Sequence, residues 1–203
     1  MPSRSLGVMM GPSRHAGDPD RVALVFPGSA YSPARPLLHY ANAVLRRHGW
    51  IVREVWYDEL EPEVQAKSLT DTARAIVDRQ TASRLLLVGK SLGSRALPVA
   101  AERALPGIWL TPLLTEPELV AALERLTAPT LLVGGTGDLL WDREVAHRLV
   151  HEFLELPYAD HGLELPGDPI HSAELLVSVV AAMEAFVGGL RGSSTRSSTS
   201  RRR

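Results

Sequence analysis

Arg84-Leu85-Leu86-Leu87-Val88 runs straight into Gly89-Lys90-Ser91-Leu92-Gly93, and this junction decides how the chain is read. The run up to Val88 is apolar after its first residue, the pattern of a strand covered on both faces. Gly-x-Ser-x-Gly then puts a serine on a sharp strand-to-helix turn, with its hydroxyl at the carboxyl edge of the sheet. Gly89 and Gly93 let neighbouring backbone approach where a Cβ would clash. The stretch does not fit the phosphate-binding loops: it lacks G-x-G-x-x-G, and Lys90-Ser91 does not sit in a Walker loop of the right length. A small-residue turn without chemistry is the competing explanation.

On both sides of this turn, short β-branched runs alternate with helical periodicity. Strands are expected at Val22–Phe26, Ile51–Trp56, Arg84–Val88, Ile108–Leu110, Thr130–Val133 and Glu152–Leu156. Helices are expected between them: one through Leu37, Leu38, Ala41, Val44 and Leu45, one over Thr70–Gln80, and one over Gly93–Arg103. Another ends near Leu126, opened by a capping box at Thr115-Glu116-Pro117-Glu118, and one lies around Arg143–Val150. The last is amphipathic, with Leu176, Val179, Val180, Met183 and Phe186 on one face. The alternation predicts an α/β fold: a three-layer α/β/α sandwich on a mostly parallel sheet of about six strands.

A serine hydroxyl is a weak nucleophile and needs a base that is itself held by a third group. Val133-Gly134-Gly135-Thr136-Gly137-Asp138 places an acid just past one strand, and Tyr158-Ala159-Asp160-His161-Gly162-Leu163 places a histidine just past the last. Ser91, Asp138 and His161 therefore belong to one edge of the sheet, the edge at which open α/β sheets bind ligands. Asp160 is the rival acid, although its neighbour His161 should point the other way in an extended segment. His171 is the rival base, although a place beside Ser172 at the mouth of the last helix suits a capping or surface role. Asp142 is better placed than Asp138 to cap the helix beginning at Arg143.

These motifs, in the order oxyanion loop, Ser, Asp, His, resemble the α/β-hydrolase family over about residues 21–190. The chain is similar to the family's compact cytosolic esterase and dienelactone-hydrolase-like members. The resemblance implies an oxyanion hole of main-chain donors, one of them Leu92 N–H directly after the nucleophile. The second would come from Pro27-Gly28-Ser29-Ala30-Tyr31, where Pro27 stands in place of the family's usual histidine. Ser29 is then the matching donor and Ala30 the fallback. Tyr31 and Trp141 are candidate walls of a shallow substrate pocket, or else packing residues, and Lys90 is assigned a structural role. Only Thr111–Thr115 separates the Ile108–Leu110 strand from the next helix, so no cap domain is expected.

The reaction implied is hydrolysis of a small or accessible carboxylic ester, thioester or lactone through an acyl-enzyme, with no cofactor and no metal. An acyltransferase using the same triad, or a non-catalytic binding module on this scaffold, stays open. Serine at the turn disfavours the aspartate-nucleophile dehalogenases and epoxide hydrolases.

Composition is that of a globular domain, with 45% hydrophobic and 22% charged residues. Residues 191–203 hold Arg191, Arg196, Arg201, Arg202 and Arg203 and no acid; the rest carries 17 basic and 23 acidic residues. A body at net −6 is poorly suited to nucleic acid. There is no cysteine, which excludes disulfides, thiolate metal sites and cysteine nucleophiles. Residues 1–20 and 191–203 read as weakly ordered flanks of a domain over 21–190, with Leu6–Met10 the one short strand candidate in the first flank. No apolar run suits a signal peptide or approaches the roughly 18 residues of a membrane span. A cytoplasmic protein acting on a small-molecule ester or thioester, without nucleic-acid or membrane partners, is the expectation; the oligomeric state is open.

Overall fold

Alternate residues of a strand face opposite sides of a sheet, and here both sides are buried. In the computed structural model, which describes residues 8–10, 17–57 and 62–190, Val22, Leu24, Phe26, Leu87, Trp109 and Leu132 face one core. Ala23, Val25, Leu86, Val88, Ile108, Leu110 and Val133 face the other. Two covered faces explain why these strands are apolar almost without interruption.

The elements in chain order are β1 (Val8–Met10), β2 (Asp18–Phe26), α1 (Pro36–Arg47), β3 (Trp50–Tyr57), α2 (Pro62–Asp78), β4 (Arg84–Lys90) and a 3₁₀ turn (Ser91–Ala96). They continue with α3 (Leu97–Arg103), β5 (Gly107–Leu110), α4 (Pro117–Arg125), β6 (Thr130–Gly135), α5 (Arg143–Arg148), β7 (Glu152–Leu156) and α6 (Pro169–Gly189). Helices α2 to α5 cover the first core, and α1 and α6 the second. The result is the expected three-layer sandwich.

Among the described residues the sheet has seven strands in the order β1-β3-β2-β4-β5-β6-β7. All pairs from β3 to β7 are parallel. The strand beyond the expected six is β1, antiparallel on the edge with Val8 opposite Tyr57. It falls within the Leu6–Met10 candidate. The domain also starts before residue 21: β2 begins at Asp18, whose N–H donates to Gly49 O at 3.0 Å. Residues 191–203, the expected basic tail, lie outside the described residues.

Local chemistry moved three other expectations. The helix expected over Gly93–Arg103 is a 3₁₀ turn followed by α3, because Pro98 has no N–H for the Ser94 carbonyl and its ring crowds that position. The capping box at Thr115 does not form. Pro117 takes the first helical position, so Glu116 is the N-cap without a side-chain cap bond, and its carboxylate pairs with Arg95 at 2.5 Å. Finally, α6 is long and apolar enough to cross a membrane by length and composition, contrary to the sequence expectation. In this fold it buries Val179, Met183, Phe186 and Val187 against the sheet and leaves Ile170 and Val177 exposed. Asp142 does cap α5, accepting from Val145 N–H at 3.0 Å.

The connection from β5 to α4 is only residues 111–116, so no cap domain is inserted there. From β2 the chain passes through α1 on one face to β3; from β4 it passes through α3 on the other face to β5. The loops leaving β2 and β4 therefore part, opening a crevice at the carboxyl ends of these two adjacent strands.

Candidate active site

Ser91 occupies the left-handed region at φ 50°, a strained conformation for a residue with a side chain. The glycines around it make the turn sterically feasible. A Cβ on Gly93 would lie 2.1 Å from Phe26 O, and one on Gly89 would lie 2.6 Å from Gly93 O. Phe26 ends β2, so the turn is wedged against the neighbouring strand. Ser94, fully buried, locks it further: its Oγ donates to Ser91 O at 2.6 Å and accepts from Leu113 N–H at 3.3 Å.

The loops after β6 and β7 are stitched together. Gly137 N–H donates to Ala159 O at 3.0 Å and Tyr158 N–H to Thr136 Oγ1 at 2.7 Å. This approach explains the glycines in Gly134-Gly135-Thr136-Gly137: a Cβ on Gly135 would be 2.1 Å from Ala159 O, and one on Gly137 2.7 Å from Tyr158 O. Main chain thus runs beside main chain, and Asp138 meets His161.

The contacts that follow join all three sequence-selected residues. His161 Nδ1 is 2.7 Å from Asp138 Oδ2, and His161 Nε2 is 2.7 Å from Ser91 Oγ. An ionised carboxylate only accepts, so Nδ1 carries the ring hydrogen and donates to Asp138. Nε2 is left with its lone pair toward Ser91, whose hydroxyl donates to it. Asp138 is buried and its other oxygen accepts from Leu140 N–H at 2.9 Å, which fixes the carboxylate. The His161 side chain is 35% exposed, so its ring is reached from the crevice side.

The rivals are employed elsewhere. Asp160 turns back into its own loop, where Oδ1 accepts from Gly162 N–H at 2.7 Å and Glu164 N–H at 3.0 Å. His171 is exposed on α6 and bonds to Asp168, whose carboxylate raises the imidazole pKa. Asp168 is the N-cap of α6.

Gly28 packs directly on the serine turn, with a Cβ there 3.3 Å from Ser91 Cβ, so Ser29 and Ala30 lie beside the crevice, both exposed. Leu92 is in the first turn of the 3₁₀ segment, whose amides have no intrahelical acceptor.

Tyr31 and Trp141 part company. Tyr31 forms one wall of a cleft of about 360 Å³ whose other wall is Gly162–Asp168, beside His161. Its ring is braced by Leu37 N–H, which donates to the hydroxyl at 3.1 Å, and burial raises the phenol pKa. Trp141 is not a pocket wall. Its indole fills the slot left by Gly134, where a Cβ would lie 2.0 Å from the ring, and its Nε1 donates to Glu155 at 3.0 Å. Aromatic identity could not tell these fates apart; the glycine opposite Trp141 is the signal that bore on it.

Sequence reasoning missed Ser94, whose one signal is a small hydroxyl residue one turn after Ser91. It also gave Asp160 no part in holding the His161 loop. Among the described residues, no group of three or more His, Asp or Glu side chains could hold a metal ion.

Strand order, the antiparallel edge strand and the Ser, Asp and His beyond the ends of β4, β6 and β7 coincide with one known architecture, and solved structures superpose on it over most of the chain. The chain has the α/β-hydrolase fold. An α/β serine hydrolase homologue from Coxiella burnetii matches at 13% identity and TM-score 0.63, over 88% of this chain and 89% of that one. An α/β serine hydrolase without lid from Xanthomonas campestris matches at 17% identity and TM-score 0.62, over 91% and 88%. Est1E from Butyrivibrio proteoclasticus, solved with ferulic acid bound, matches at 15% identity and TM-score 0.63, over 90% and 96%. No protein-family model and no curated protein matches the sequence. Within the α/β-hydrolase fold the described residues form a seven-stranded sheet with no cap domain between β5 and α4.

Proposed function

We propose that the chain is a serine hydrolase that cleaves a small or accessible carboxylic ester, thioester or lactone through an acyl-enzyme. The observation that carries this is the relay from Asp138 through His161 to Ser91, with both contacts at 2.7 Å. Such distances suit proton transfer without rearrangement. Ser91 Oγ attacks the carbonyl carbon while its proton passes to His161 Nε2, and Asp138 stabilises the imidazolium. The proton then goes to the departing alcohol or thiol as the carbon–oxygen or carbon–sulfur bond breaks. Water enters, gives a proton to Nε2 and attacks the acyl-enzyme; that proton returns to Ser91 as the acid leaves.

Leu92 N–H and the N–H of Ser29 or Ala30 are assigned to the developing oxyanion, where each donor is worth about 10²–10³ in rate. The short 111–116 connection supports an accessible substrate, and the cleft beside His161 offers space for one apolar substituent. The fold's structural neighbours include serine hydrolases and an esterase domain by name, which supports the reaction class.

The test is a fluorophosphonate probe together with a panel of p-nitrophenyl esters, acyl thioesters and lactones, with Ser91→Ala as the blank. Labelling of Ser91 and turnover that the blank lacks are expected. An unlabelled Ser91, or equal turnover by the blank, would overturn the proposal; labelling without any turnover would point to a binding module.

A further inference from the structure

Lysine is almost never fully buried unless it is paired, yet Lys90, beside the nucleophile, is only 3% exposed. Its stem packs along the loop after β2, where a Cβ on Gly28 would lie 3.1 Å from Lys90 Cδ. At its end, Nζ donates to the main-chain oxygen of His161 at 3.0 Å and stands 4.8 Å from the centre of the Tyr31 ring. Lys90 therefore joins three segments: the end of β4 that it belongs to and that leads into Ser91, the loop that carries Gly28–Tyr31, and the loop that carries His161.

We propose that Lys90 is a positioning residue, whose ammonium ties the His161 loop and the oxyanion-side loop to the serine turn. The inference rests on the serine-hydrolase reading. The His161 loop needs such a tie. It has left-handed backbone on both sides of the histidine, at Tyr158 (φ 60°) and Leu163 (φ 60°). Its carbonyl faces a donor held on the rigid end of β4, and a charged donor makes the stronger hydrogen bond. Tyr31 adds a cation–π contact to the same ammonium and, through its hydroxyl, fixes the start of α1.

The charged and titratable groups around Lys90 come from every neighbouring loop. Asp138 follows β6, Asp160 and His161 follow β7, and Tyr31 and Arg35 follow β2, with Arg35 5.8 Å from the Tyr31 ring centre. Burial pushes the lysine down to about 8, against the opposing pull of Asp138 and Asp160. The tie thus weakens on the alkaline side of neutrality. A buried cation is also costly to the fold, and an apolar side chain of similar shape would not be. Lys90→Met should therefore separate stability from rate.

The experiment uses the full chain, its Lys90→Met and Lys90→Arg variants, and p-nitrophenyl acetate between pH 6.5 and 9.5. Thermal unfolding and fluorophosphonate labelling are measured in parallel. Lys90→Met is expected to unfold at or above the wild-type temperature while kcat at pH 7.5 falls about 10- to 100-fold, as for a slightly misplaced reacting group. KM should stay within about threefold, because ground-state binding is not what is lost. The wild type should lose kcat at alkaline pH with a midpoint of about 8. That limb should be missing from Lys90→Met and moved upward in Lys90→Arg. Wild-type kcat in Lys90→Met, or an alkaline limb identical in all three proteins, overturns the inference while leaving the hydrolase reading intact. If the wild type neither labels at Ser91 nor turns over ester, the hydrolase reading has failed and the role of Lys90 falls with it.

Discussion

The carbonyl oxygen of Phe26 lies where a Cβ on Gly93 would be, 2.1 Å from that position. Real Cβ atoms do not approach backbone oxygen so closely, and this oxygen belongs to the end of a central strand. Gly93→Ala should therefore force β2 from the serine turn and destabilise the fold by about 3 kcal/mol or more, the range of a severe overpacking. Urea unfolding of the wild type and variant checks it. Equal midpoints would mean that the turn yields more easily than its contacts suggest.

Asp138 holds His161 with the ring hydrogen on Nδ1. Asparagine can offer an amide N–H at the same place and favour the other tautomer, which would leave Nε2 protonated toward Ser91. Asp138→Asn is expected to fold and to lower kcat by about 10⁴. Steady-state kinetics on an activated ester, with circular dichroism as the control, decides this; a loss below about tenfold would argue that another group orients the base.

Asp160, though not in the relay, accepts two loop amides through Oδ1. Asp160→Ala takes that acceptor from both donors, one part-buried and one exposed, at a cost of about 0.5–1.5 kcal/mol. We expect a lower unfolding midpoint and a kcat reduced by about tenfold, through loosening of the His161 loop. Unchanged kinetics in a destabilised variant would confine Asp160 to a folding role.

Lys90 also predicts how stability depends on pH. Its folded-state pKa is lowered to about 8, by burial first, while the unfolded chain keeps the ordinary lysine value. Between these values the unfolded chain binds the extra proton. This residue's contribution to stability therefore rises with pH, at up to about 1.4 kcal/mol per pH unit. Below the folded value both states are charged, and the full cost of burying the ammonium is present. Urea unfolding at pH 7.5 and 9.5 should show the wild type gaining on Lys90→Met at the higher pH. A difference that stays flat or moves the other way would place the ammonium in a more solvated setting.

The layers, the six parallel strands and the strand-end positions of Ser91, Asp138 and His161 were legible because each depends on local pattern. Strand periodicity, the steric need for Gly89 and Gly93, and the placement of polar residues just past apolar runs are properties of neighbouring residues in the chain. The features that local pattern left open or misplaced depend on partners distant in sequence. Val8–Met10 is a strand only because β3 offers an open edge. Glu116 is drawn to Arg95, and Trp141 is buried because Gly134 leaves a slot for it.

By itself, then, the sequence determined the fold class, the turn that must carry Ser91, and the loops from which its partners had to come. Tertiary structure decided between Asp138 and Asp160 and between His161 and His171, because hydrogen bonds act over about 3 Å and no spacing along a chain specifies so short a distance. It also turned Lys90 from a residue merely next to Ser91 into a contact between the end of β4 and the loops of Tyr31 and His161. Burial and a main-chain carbonyl 71 residues away define that role, and both exist only once the sheet has brought its strand ends together.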